Sequence, residues 1–92
     1  MLELSFTKHA QARSQQRQIP PKVVEWLLQY GAVSHFDGTE LLHFDKKAKH
    51  RLCKDLGRSV VQRLGKLLQT YIVVKDGTVI TAGYRFKRVK NG

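Results

Sequence analysis

The two Asp-Gly steps, Asp37-Gly38 and Asp76-Gly77, limit the fold of this 92-residue chain more than any other feature. Each sits between runs of alternating or β-branched residues, and Asp-Gly tolerates the positive backbone angles that a two-residue hairpin turn demands. Two such turns commit four segments to antiparallel pairing, 32–36 with 39–45 and 70–75 with 78–86. The second hairpin is richer in β-branched residues and is expected at the centre of the sheet. Alternation puts Val33, Leu42 and Phe44 on one face of the first hairpin and Ser34, Phe36, Leu41 and His43 on the other. With apolar groups on both sides, that hairpin is expected to be covered on both, at least in part. On the last strand Ile80, Ala82, Tyr84 and Phe86 alternate with Val79, Thr81, Gly83 and Arg85, so Thr81 and Arg85 project together.

The rest of the chain reads as helix. Leu2, Leu4 and Phe6 alternate with Glu3 and Ser5, which suits a short edge strand or an extended arm. Thr7 can cap a first helix that ends before Ile19, because Pro20 disfavours a helical conformation there. Pro21 suits the first position of a second helix, where its missing amide hydrogen costs nothing, and Val23, Val24, Leu27, Leu28 and Tyr30 form its apolar stripe up to Gly31. Residues 46–56 carry Ala48, Leu52 and Leu56 at i, i+4, i+8, and Gly57 interrupts. Ser59 with Gln62 has the spacing of a capping box, so 46–69 is one bent helix or two. Hydrophobic residues make up 41% of the chain, enough for one modest core and one domain, 1–92. The expected fold is α+β: two N-terminal helices, a hairpin, a basic helical segment and a second hairpin. They form one antiparallel sheet of about four strands backed by helices.

Seventeen Lys and Arg against seven Asp and Glu give a net charge of +10 and a pI near 10.2. That excess exceeds what solubility asks of a small domain and points to a polyanionic partner. No apolar run approaches the roughly 20 residues that span a bilayer, so nucleic acid is expected rather than a membrane. Residues 46–66 hold eight Lys and Arg against the single acid Asp55, and Lys46, Lys49, Arg51, Lys54, Arg58 and the distant Arg85 are candidates for tracking phosphates. The lone Cys53 excludes an internal disulfide and has no partner for a zinc site. Together with an N-terminus lacking the marks of a secretory signal, it suggests a reducing cytoplasm.

His9, Arg13 and Arg17 are spaced i, i+4, i+8 and form one row on the first helix. An arginine fork matches phosphate, and imidazole titrates near neutrality. Metal-independent RNA cleavage requires a group to take the 2′-hydroxyl proton, another to protonate the leaving oxygen, and cations for the developing phosphate charge. His9 is the best acid or base for this, Arg13 and Arg17 the best phosphate clamps, and Thr81 with Arg85 can orient the substrate from the sheet. His35, His43 and His50 are poorer candidates, two lying on hairpin strands and one among lysines. The scarce acids argue against a two-metal nuclease, and no motif calls for a cofactor.

The opening F-T-K-H-A-Q-A-R-S-Q-Q-R-Q-I-P, the V-E-x-L-L-Q-Y-G helix and the closing V-I-T-A-G-Y-R strand resemble the bacterial family catalogued as domain of unknown function 4258. The resemblance implies the fold of the RelE, barnase, EndoU and colicin-type ribonucleases, two helices against a four-stranded antiparallel sheet, and a toxin-like ribonuclease activity. Its suggested active-site positions fall on His9, Arg13, Arg17 and Thr81. The helical segment 46–69 is longer and more basic than a minimal member would have. A non-catalytic nucleic-acid-binding module, or an interaction module for an acidic, antitoxin-like protein, remains open beside the enzyme.

Overall fold

The computed structural model describes residues 5–85; the expectations for 1–4, for Phe86 and for the basic tail at 87–92 lie outside the described residues. The elements in order are β1 (Ser5–Phe6), α1 (Lys8–Gln16), α2 (Pro21–Tyr30), β2 (Ala32–Phe36), β3 (Thr39–His43), α3 (Lys46–Leu56) and α4 (Arg58–Leu64). A 3-10 helix (Gly65–Gln69), β4 (Thr70–Lys75) and β5 (Thr78–Tyr84) follow. Both hairpins form as expected. Asp37 and Gly38 take φ of 44° and 80°, and Asp76 and Gly77 take 50° and 77°, the pair of positive angles that matches a tight turn to the twist of its strands.

The sheet has the order β1-β5-β4-β3-β2 and differs from the expected antiparallel sheet of about four strands. The added strand is β1, which runs parallel to β5 with Ser5 opposite Thr78 and Phe6 opposite Val79. It ends at Phe6 because the next residue is already the helix cap. The Thr7 amide bonds the Val79 carbonyl at 3.0 Å, while its hydroxyl accepts the Ala10 amide at 3.0 Å. One residue thus closes the strand, starts α1 and ties the helix to β5.

A second departure lies on β5. Val74 stands opposite Val79 but Val73 opposite Thr81, so Ile80 is an extra, bulged residue that breaks the expected alternation. Val79 consequently shares the helix-covered face with Ala82, both of them buried, while Thr81 stays with Gly83 on the opposite face.

Helices α1, α2 and α3 lie on that one covered face. Ala10 from α1, Val23, Val24 and Leu27 from α2, and Ala48 and Leu52 from α3 close the core over Leu42, Ile72, Val74, Val79 and Ala82. Each buried Leu contributes about 1.5–3 kcal/mol relative to exposure. The opposite face of the sheet is the more open one; there Leu41, His43, Tyr71, Val73 and Thr81 are half-buried, so the covering expected on both sides of the first hairpin is partial. Val33 and Phe36 on β2 are 48% and 58% exposed. In the basic segment Gly57, at φ 97°, divides α3 from α4, a conformation that a side chain would strain. The expected Ser59–Gln62 capping box is absent, since α4 starts one residue before Ser59 with no side-chain cap. Asp45 caps α3 instead, its carboxylate accepting the Ala48 amide at 2.8 Å.

Helix α2 is held at its C-terminal end. The Tyr30 hydroxyl donates to Asp55 Oδ2 at 2.6 Å, linking α2 to α3, and that bond, with some desolvation, holds the phenol above its ordinary pKa. At Gly31 an ideal Cβ would stand 2.5 Å from the Leu27 carbonyl oxygen and 3.2 Å from that of His43. Gly31→Ala is therefore expected to push α2 off the sheet and cost about 1–3 kcal/mol. Thermal unfolding checks this, and an unchanged midpoint would mean that the junction yields freely.

Candidate nucleic-acid interface

Three elements leave the sheet at one end. There β3 runs out into α3, the 3-10 helix enters β4, and β5 ends. The Arg85 amide bonds the Gln69 carbonyl at 2.6 Å, and the buried Thr70 hydroxyl donates to the Leu67 carbonyl at 2.6 Å. Between them opens a pocket of about 220 Å³ whose lining includes His43, Asp45, Lys46, Lys49, Gln69 and Arg85. Lys46 and Lys49 reach it together because i and i+3 share one flank of a helix. Asp45 is the one acid in the lining and its carboxylate is committed to the α3 cap. Three of the six residues expected to bind nucleic acid, Lys46, Lys49 and Arg85, thus converge. Arg51, Lys54 and Arg58 are exposed elsewhere on α3 and at the start of α4, and do not line the pocket.

The row on α1 approaches the same end. The Tyr84 hydroxyl donates to the Arg17 carbonyl at 2.6 Å, and the Lys66 ammonium lies 5.5 Å from the Tyr84 ring centroid. Arg17, Lys66 and Arg85 are thereby gathered around the end of β5. From Arg17 the row runs back through Arg13 to His9, about 12 Å along the helix at 1.5 Å per residue. His9 is exposed, and Arg13 and Arg17 are half-buried. Among the described residues the ion pairs are Lys22–Glu25 at 3.6 Å and His35–Glu40 at 3.7 Å, so the arginines of the row and the Lys and Arg of the pocket are not neutralised by an acid.

Thr81 is separated from the row. The helix packs on the covered face of β5, whereas Thr81, opposite Val73, lies on the open face. It stands there beside Gly83 and, across β4, Tyr71. An ideal Cβ on Gly83 would meet the Tyr71 ring at 3.0 Å and its hydroxyl at 3.1 Å; the Tyr71 side chain thus reaches over Gly83, between Thr81 and Arg85. His43 stands directly opposite Tyr71 on β3. Sequence reasoning ranked His43 low and did not single out Tyr71 or Lys66. The signal for His43 was local, since His43, Asp45, Lys46 and Lys49 fall within one strand-to-helix junction.

A larger groove of about 480 Å³ runs along the other flank of α1, lined by residues such as Phe6, Gln11, Gln15, Ile19 and Val24 and by no titratable side chain. Volume is the poorer guide here, because an anion requires cations and these stand elsewhere. No three His, Cys, Asp or Glu side chains converge among the described residues, and no described helix is long and apolar enough to cross a membrane. Compared with known proteins, the chain matches no family model, no curated protein and no solved structure.

Proposed function

We propose that this protein binds RNA by its phosphates at the basic end of the sheet and cleaves it, without a metal ion, by acid–base chemistry. The observation that carries this reading is the convergence of Lys46, Lys49, Arg85 and His43 on one pocket whose single acid is already committed. Phosphate oxygens entering it meet two ammonium groups and a guanidinium in a partly dehydrated setting, where such contacts are stronger than in bulk water. Arg17 and Arg13 extend the track along α1. His9 then takes the 2′-hydroxyl proton, and the 2′-oxygen attacks phosphorus as the bond to the 5′-oxygen breaks, leaving a 2′,3′-cyclic phosphate on one fragment and a 5′-hydroxyl, its proton taken from water, on the other; the arginines hold the phosphate oxygens as their charge grows.

A second reading, a binding module without catalysis, is favoured by one observation: His9 is exposed and its row lies across β5 from Thr81. In either case the same unneutralised cations would attract an acidic, antitoxin-like protein as competitor for RNA.

Titration of a fluorescent single-stranded RNA at two ionic strengths tests the shared claim. Five cations in contact with the phosphates of a single strand predict a loss of roughly 100-fold in affinity for a four-fold rise in salt, as condensed counterions are released. Affinity that is absent, or indifferent to salt, removes RNA as the partner.

A further inference from the structure

The exposed large hydrophobics among the described residues, Val33 and Phe36, both belong to β2, and β2 is the last strand of the sheet. An edge strand normally blocks further pairing with lysine, proline or a bulge. Here β2 reads Ala-Val-Ser-His-Phe and pairs with β3 without irregularity from Ala32 to Phe36. Its outward hydrogen-bonding groups follow from the turn. In a two-residue hairpin the flanking pair, Phe36 and Thr39, exchanges both backbone bonds, and by alternation so do Ser34 with Leu41 and Ala32 with His43. The amide and carbonyl groups of Val33 and His35 are left pointing away from the sheet.

We propose that β2 is the docking edge for a second copy of this chain, paired antiparallel about a two-fold axis through Ser34. This register alone overlaps all of β2 with itself. It sets Val33 opposite the partner's His35, so that every outward amide and carbonyl finds its counterpart. On the open face Phe36 comes to lie opposite the partner's Ala32, a small residue that leaves room for the ring, and on the covered face Val33 meets an imidazole. Each exposed hydrophobic group is thus covered by a residue of the same strand, which an unrelated peptide would match only by chance.

Charge points to the same edge. Residues 23–45 contain Glu25, Asp37, Glu40 and Asp45 and no Lys or Arg, so all 17 basic residues lie elsewhere in the sequence. Two copies at +10 repel over most of their surface. At β2 they meet through a stretch without Lys or Arg, where the cations that repel elsewhere are absent, and the α1 row, on the far side of the sheet order, stays open in both. The pairing does not depend on the RNA reading.

The test is a cross-link set by the two-fold axis. Ser34 would face the partner's Ser34 as a non-hydrogen-bonded pair with Cα atoms about 4.5 Å apart, within disulfide range. Ser34→Cys in a Cys53→Ser background is expected to give a covalent dimer on mild oxidation, and Phe36→Cys in the same background is not. By sedimentation the unmodified protein is expected at the mass of two chains, and Phe36→Lys and His35→Pro at the mass of one. His35→Pro removes only an outward amide, so the hairpin is retained, and Phe36 is too exposed for its replacement to unfold the chain. Wild-type protein that stays a single chain up to high concentration overturns the proposal, even if some other protein then proves to cover the edge. So does Ser34→Cys cross-linking no faster than Phe36→Cys, or either β2 variant remaining a dimer.

Discussion

Alanine at His9 is expected to slow RNA cleavage by roughly 10²–10⁴-fold while leaving RNA affinity nearly intact, the range that a positioned acid or base contributes. His9 is exposed near the start of α1, so its removal takes nothing from the core, and alanine is the better helix former. A thermal melt of the variant should therefore overlay that of the wild type. Arg13→Ala and Arg17→Ala are expected to behave differently, weakening binding and turnover together, because a phosphate clamp positions the substrate before it stabilises the transition state. The measurement is the appearance of fragments from a long unstructured RNA in the presence of chelator, which removes contaminating metal-dependent nucleases. Intact RNA with wild-type protein, or cutting by His9→Ala at the wild-type rate, would leave the binding module as the reading.

The turns at Asp37-Gly38 and Asp76-Gly77 were legible because a two-residue turn is decided by its own two residues. Pro21 at the head of α2 and Val23, Val24 and Leu27 on its buried stripe were legible for the same reason, each signal lying within one or two helical turns. The bulge at Ile80 was not. Residues 78–82 carry no Gly or Pro to mark it, and either parity offers β-branched residues to the core, so the choice of Val79 over Ile80 was made by the helices packed above. The edge strand β1 was legible in the alternation of Leu4 and Phe6 with Ser5, but not its parallel pairing, because its partner β5 is more than seventy residues away. The site divides along the same line. Spacing within a helix shows that His9, Arg13 and Arg17 share a row, and that Lys46 and Lys49 share a flank. It cannot show that β3 and β5 leave the sheet at the same end, which is what brings His43 to Arg85, nor that the sheet comes between the row and Thr81.

Neutralising the pocket by Lys46→Ala, Lys49→Ala and Arg85→Ala together is expected to weaken RNA binding by roughly 10²–10³-fold, taking somewhat over 1 kcal/mol for each charge-assisted phosphate contact. The slope of log affinity against log salt should fall by about 2 units, since three fewer phosphates of a single strand are neutralised. Net charge alone predicts something else. Arg51→Ala, Lys54→Ala and Arg58→Ala together remove the same three charges from α3 and α4, at exposed positions outside the pocket, and on a purely electrostatic view the two triple variants should lose affinity equally. If the pocket is the site, the second triple retains most of its binding, and its salt slope moves little. Folding does not confuse the comparison. Lys46 and Arg85 are exposed, and Arg85 holds the end of β5 by its backbone amide, bonded to Gln69, which alanine keeps. Equal losses in the two triples would mean that RNA meets a diffuse basic surface, and the pocket would lose its assignment.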